Sequence, residues 1–144
     1  MMLDITSILA PGMHAEVRRV VDIEDAYGNA SSYLNQYLST SACIDLAVKA
    51  CMSITDSTLP EGYLSVGQRM ELGHEVPVML GTAVTVQAVL REVQGNKLIF
   101  DITGSDALGV VFRCVNERVV VNRIGLEEKG TARALEIQAL KKRV

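Results

Sequence analysis

The side chains best suited to moving protons near neutral pH are two histidines, His14 and His74, because imidazole is the side chain whose unperturbed titration falls there. His74 closes a stretch of alternating apolar residues, stands beside Glu75 and precedes a Val76-Pro77 turn. A histidine at a strand end can serve as general base or proton shuttle. His14 is assigned to an N-terminal loop and read as a bystander. The three cysteines, Cys43, Cys51 and Cys114, are an odd set without metal-ligand spacing. Cys43 with His74 would make a nucleophilic pair, but its place on the apolar side of a helix makes it an inert core thiol, since reactive thiols need an electropositive, partly exposed site. Two distant histidines are too few for a metal site. Gly67 and Gly81 stand alone, so no glycine-rich phosphate loop is spelled out.

These residues need a scaffold, and the stretch Ser39 to Met52, STSACIDLAVKACM, is its centre. At ~100° per residue, Cys43, Ala47, Ala50, Cys51 and Ile54 share one side, while Asp45, Lys49 and Ser53 form a narrow band opposite. A helix so apolar is buried, and only that band reaches water or a ligand. Ser39 or Thr40 caps it, because a hydroxyl there accepts from the free N–H groups of the first turn. The helix ends near Thr55, before the turn from Asp56 to Gly62.

Upstream, Glu16 to Ile23 reads as a first strand. Asp25 to Leu38, with tyrosines at 27, 33 and 37, reads as a loop with one short helical turn, of the kind that serves as a lid. From Tyr63 the period becomes two: Leu64, Val66, Met70 and Leu72 alternate with polar residues up to His74. Residues 82 to 93 form the next strand, a Gly95-Asn96 turn closes a hairpin with 97 to 103, and 109 to 122 is a long final strand. The paired lengths suggest a meander. A C-terminal helix is placed within 126–144, its regular part at 131–143 behind a break from Gly125 to Gly130.

One buried helix followed by a curved antiparallel sheet is an α+β architecture. With 144 residues, the chain is read as a single domain, with residues 1–15 as an N-terminal extension. Hydrophobic residues make up 49% and charged ones 22%, an ordinary globular balance that excludes disorder. The net charge of -3, with Lys141, Lys142 and Arg143 complementing a helix end, argues against nucleic-acid binding. The opening MMLDITSILAPG has an acid at Asp4 and no basic start, so it is neither signal peptide nor membrane span. A cytoplasmic protein is expected, consistent with the cysteine usage. An exposed sheet edge must be covered or paired, so a homodimer is the expected assembly, with a tetramer as the larger option.

Four stretches carry a resemblance: LSTSACIDLAVKAC for the helix, EGYLSVGQRMELGHEVPVMLGTAVTV for the two strands after it, EVQGNKLIFDITGSDALGVV for the hairpin and NERVVVN for the closing strand. Over roughly residues 30 to 123 the chain resembles hotdog-fold proteins of the fluoroacetyl-CoA thioesterase-like group. The resemblance implies a curved antiparallel sheet wrapped around one long central helix, and hydrolysis of an acyl-CoA thioester without a metal or a cofactor beyond the substrate's own CoA. It assigns catalytic roles to Thr40 and His74 and substrate contacts to Gly67 and Arg118. The family's catalytic glutamate does not carry over, because Val48 stands there. Asp45, about one turn earlier, offers a substitute carboxylate, with pairing to Lys49 as its alternative role. The resulting expectation is an acyl-CoA thioesterase for a short or small acyl group. The alternative is a non-catalytic hotdog module that binds acyl-CoA, which the loss of glutamate favours.

Overall fold

Residues 3 to 142 are described by this computed structural model. Five strands run antiparallel in one sheet: β1 (His14–Val20), β2 (Tyr63–His74), β3 (Ala83–Gln94), β4 (Lys97–Asp106) and β5 (Gly109–Asn122). Their spatial order is β1-β3-β4-β5-β2, so β2, first after the helix in sequence, becomes an edge. Helix α1 (Thr40–Asp56) crosses one face, and α2 (Arg123–Lys141) leaves the end of β5. The curved sheet around a long helix is the expected α+β hotdog arrangement.

Strand register explains the core. Partnered residues share a face, so one row runs His74, Phe112, Gly104, Val86, Val17, and the next runs Leu72, Cys114, Ile102, Ala88, Ala15. These side chains meet Ala42, Cys43, Leu46, Ala47, Ala50, Cys51 and Ile54 from α1, all buried. Small residues on α1 let helix and sheet approach closely, and Gly104 does the same on the sheet, where a Cβ would lie 2.2 Å from the Phe112 ring.

The simple alternation expected for β2 fails at one place. A bulge between Gly67 and Arg69 shifts the register, and an extra residue inverts side-chain parity. Met70, Leu72 and His74 therefore share the helix-facing side with Tyr63, Ser65 and Gly67, while Leu64 and Val66 face the other way. Buried Ser65 bonds Thr55 Oγ1 on α1 at 3.1 Å.

Three boundaries differ from expectation. The first strand spans 14 to 20, so His14 lies on β1, exposed, and not in a loop. It stops early because Asp22 and Asp25 form a capping box that starts a 3-10 helix at Ile23–Asn29; a second follows at Ser32–Leu34. Helix α2 begins at Arg123, with Gly125 and Gly130 inside it. The Asn122 side chain caps two of its N–H groups, and this cap with the helix-forming Leu126 to Lys129 outweighs about 1 kcal/mol per glycine. Arg143 lies outside the described residues.

Candidate active site

Thr40 and His74, 34 positions apart, are brought together: Thr40 Oγ1 lies 2.9 Å from His74 Nδ1. Helix α1 delivers the threonine as its first residue, and the helix-facing parity after the β2 bulge delivers the histidine. The other ring nitrogen, Nε2, is buried and has no hydrogen-bond partner among the described residues. One backbone clasp anchors both side chains. Leu38 N–H donates to Val78 O at 2.8 Å and Leu80 N–H to Gln36 O at 2.9 Å, around a Tyr37–Met79 bridge.

The start of α1 is held by its surroundings. Ser39 is the N-cap, accepting from Ala42 N–H at 3.0 Å, and its own N–H donates to Asp25 O at 2.8 Å. Asp25 is in turn bound by Arg19 Nε at 2.9 Å. Gly28 fits against this cap only because it lacks a side chain, since a Cβ would fall 1.8 Å from Ser41 Oγ. Cys43 N–H is taken by Ser39 O, so among the described residues the N–H groups of Thr40 and Ser41 remain free for a ligand, at the positive end of the helix dipole. Such a pair beside a hydroxyl and an imidazole can hold an oxyanion while the imidazole moves a proton.

The remaining candidates lie elsewhere. Asp45 is about 140° around α1 from Thr40. It lines a polar groove of about 340 Å³ with Arg19, Glu24, Ser41 and Lys49, and this groove excludes both Thr40 and His74. Asp45 forms no ion pair with Lys49 among the described residues. Val48 is half-buried on the same flank as Thr40, in the line Thr40, Ile44, Val48, and supplies no carboxylate. Gly67 and Arg118 face each other at the opposite end of β2, about 20 Å from His74 at ~3.3 Å per residue.

Arg118 is 3% exposed. Its Nε and Nη2 donate to Ser65 Oγ and Ser65 O, both at 2.9 Å, and Nη1 donates to Asn116 Oδ1 at 3.1 Å. No carboxylate pairs with it among the described residues, and burial lowers its pKa from the ordinary guanidinium value. A Cβ on Gly67 would stand 3.4 Å from Nη1, so Gly67 lies directly against the guanidinium. The resemblance pointed to Arg118 but not to Ser65 and Asn116, which hold it and whose signal was a polar side chain at an inward-facing position. Burial pushes all three thiols up to about 12, so Cys43 is inert as expected. A further groove of about 450 Å³, beside Glu71, Asp101, Thr103 and Arg113, opens on the sheet's other face and touches neither Thr40 nor His74.

A helix wrapped by a five-stranded antiparallel sheet defines a hotdog fold, here with a Thr–His pair where the helix starts. Residues 21–124 match the family of fluoroacetyl-CoA-specific thioesterases, and the chain belongs to that family. It is similar to a hot-dog-like protein from Thermanaerovibrio acidaminovorans, at 30% identity and TM-score 0.87, covering 91% of this chain and 97% of that one. A thioesterase superfamily member from Thermus thermophilus is 20% identical, with TM-score 0.82 over 90% of this chain and 96% of that one. The fluoroacetyl-CoA thioesterase FlK is 22% identical, with TM-score 0.78 over 86% of this chain and 96% of that one. The last two show a shared fold. No functionally curated protein matches the chain in sequence.

Proposed function

We propose that this chain is an acyl-CoA thioesterase for a short or small acyl group, acting as a homodimer. The observation that carries this reading is the Thr40 Oγ1–His74 Nδ1 hydrogen bond at the N-terminus of α1. In the neutral tautomer protonated at Nε2, Nδ1 accepts the Thr40 proton. The hydroxyl then attacks the thioester carbonyl carbon or orients a water to do so, and the developing oxyanion lies against the Thr40 and Ser41 N–H groups. No metal or cofactor enters the scheme: the carbonyl–sulfur bond breaks, CoA leaves as the thiol with the proton held on His74, and where Thr40 itself attacked, water hydrolyses the acyl-threonine ester to release the acid. Structures of the similar FlK include complexes with acetyl-CoA and with fluoroacetate and CoA, which supports acyl-CoA as the ligand class.

The dimer reading rests on the β2 edge, which pairs with β5 alone. A second copy adding its β2 antiparallel across a two-fold axis would set the Gly67–Arg118 end of one subunit beside the His74 end of the other. Four of the five candidates, Thr40, His74, Gly67 and Arg118, would then fall into two composite sites, with Asp45 outside both. Three buried free thiols fit a reducing cytoplasm.

One observation favours the second reading, a module that binds acyl-CoA without cleaving it: Val48 occupies the family's carboxylate position, and Asp45 does not replace it in space. Thiol release from acyl-CoAs spanning acetyl to medium chain separates the two. The thioesterase reading expects turnover that falls by about 100-fold or more in His74→Ala and Thr40→Ala and changes far less in Asp45→Asn. No turnover by the wild type, with acyl-CoA still raising its Tm and Val48→Glu switching hydrolysis on, would establish the binding module instead.

A further inference from the structure

Helix α2 packs on almost nothing. Its residues are exposed along its length apart from half-buried Gly125, including Ile124 at 59%, Leu135 at 58% and Leu140 at 59%. At ~100° per residue, Ile124, Thr131 and Leu135 form one seam, while Leu126, Ile137 and Leu140 form a second on the far side. An isolated helix of this length is marginal in water, and apolar seams left open mark an interaction surface.

A second apolar patch lies on the Ile23 to Asn35 segment. Tyr27 is 71% and Tyr33 92% exposed, and Ile23 and Leu34 are open as well. Between them is a cavity of about 170 Å³, lined by Ile23, Ala26, Tyr27, Ala30, Ser31 and Asn35. Its size suits one aliphatic side chain.

The two patches sit at opposite ends of β2. Helix α2 leaves from the start of that strand, where Arg123 N–H donates to Gly62 O at 2.8 Å. The 23–37 segment is clasped to the loop that follows the strand's end. A two-fold axis through the β2 edge exchanges those ends, bringing α2 of one copy to the 23–35 segment of the other. Charge agrees, since the later turns of α2 and its C-cap carry Arg133, Lys141 and Lys142 against one acid, Glu136, and the segment begins with exposed Asp22 and with Glu24, the latter already paired with Arg19. Size agrees as well: a strand edge alone buries less than the roughly 1,200–2,000 Å² typical of a stable interface, and a docked helix supplies the remainder.

We propose that α2 docks onto the 23–35 segment of a second copy of this chain, its Ile124–Leu135 seam seated beside Tyr27 of the partner subunit. This rests on the homodimer reading above. The contact would hold the segment that leads into Thr40, so each α2 helps to order the partner's site.

The test uses full-length chains with differently tagged Leu135→Cys and Tyr27→Cys subunits, co-expressed and treated with a short bis-maleimide. The native thiols are buried, so only the new cysteines react. Cross-linking between the two tags is expected, with none when Leu108→Cys, at the far β4–β5 turn, replaces Leu135→Cys. A paired Ile124→Glu, Leu135→Glu variant, altered only at exposed positions of that seam, should keep its helical circular dichroism and weaken the dimer by about tenfold or more. A dimer by sedimentation that gives no cross-link, or cross-links only helix to helix, overturns the docking and leaves the homodimer intact. A monomer at every concentration overturns both. A doubly substituted chain that cross-links within itself places α2 on its own body and overturns the proposal.

Discussion

The Thr40–His74 contact fixes which half of the imidazole can work. With Nδ1 committed to the hydroxyl and Nε2 buried without a partner among the described residues, the base chemistry available is directed at Thr40. Both residues could be read from the chain, His74 from its place at a strand end and Thr40 from its resemblance and helix-start position. The missing carboxylate could be read too, but the substitute could not. Spacing of three along a helix made Asp45 and Val48 neighbours, whereas only the packed structure shows that Asp45 lines a groove that excludes Thr40 and His74. The thiols make a residue-scale prediction. Held up to about 12 in the fold against 9.0 for an ordinary thiol, they stay protonated in the native state after the unfolded chain has begun to ionise. The unfolded state then binds fewer protons, so their contribution to stability is full below about pH 9 and lost as pH rises toward 12. A thiol reagent at pH 8 should therefore label none of the three in the native chain and all of them in denaturant. The denaturation midpoint should fall above pH 9, and less so in Cys51→Ala.

At the scale of elements, period decided most of what could be foreseen. The apolar stripe of α1 predicted both type and facing direction, and the switch to a period of two after Tyr63 predicted strands through 82–93, 97–103 and 109–122. The β2 bulge broke the rule, because an extra residue near Gly67 leaves no mark in an alternation that already contains Gly, Gln and Arg together. The same lack of local signal hid the 3-10 helices and led to the glycines of α2 being taken for a break. Tight packing makes the element-scale prediction. Gly104→Ala would put a methyl group 2.2 Å from the Phe112 ring, and neither β4 nor the helix behind it has room to yield. A loss of about 1–3 kcal/mol is expected, measured as a shift in the urea midpoint, with Gly73→Ala, whose Cβ would meet nothing within 4 Å, nearly neutral by comparison.

For the molecule as a whole, the architecture was legible and the composition of the site was not. Hydrophobic pattern and element order specify a sheet around a helix, and the family match covers that same span. The candidates' separation is a property of register: Gly67 and Arg118 share a strand pair with His74, yet stand about 20 Å from it. If the composite-site reading holds, activity belongs to the assembly. Specific activity should then decline on dilution through the dimer dissociation range, in step with the mass measured by sedimentation, and recover on reconcentration. Constant specific activity across that range would mean that one chain suffices.

The clasp between residues 36–38 and 78–80 has a consequence of its own. Its hydrogen bonds lie within four residues of Thr40 and six of His74, so two side chains far apart in sequence are staked to a common post. Their spacing is thus insulated from breathing of the long strands and sensitive to one small patch of backbone. A protease nick between Val76 and Met79 should leave helix, sheet and melting transition nearly unchanged while setting the hydroxyl and the imidazole adrift from each other. The chain would then be fully folded and catalytically silent, the failure expected of a machine whose frame is sound but whose alignment pin has been drawn.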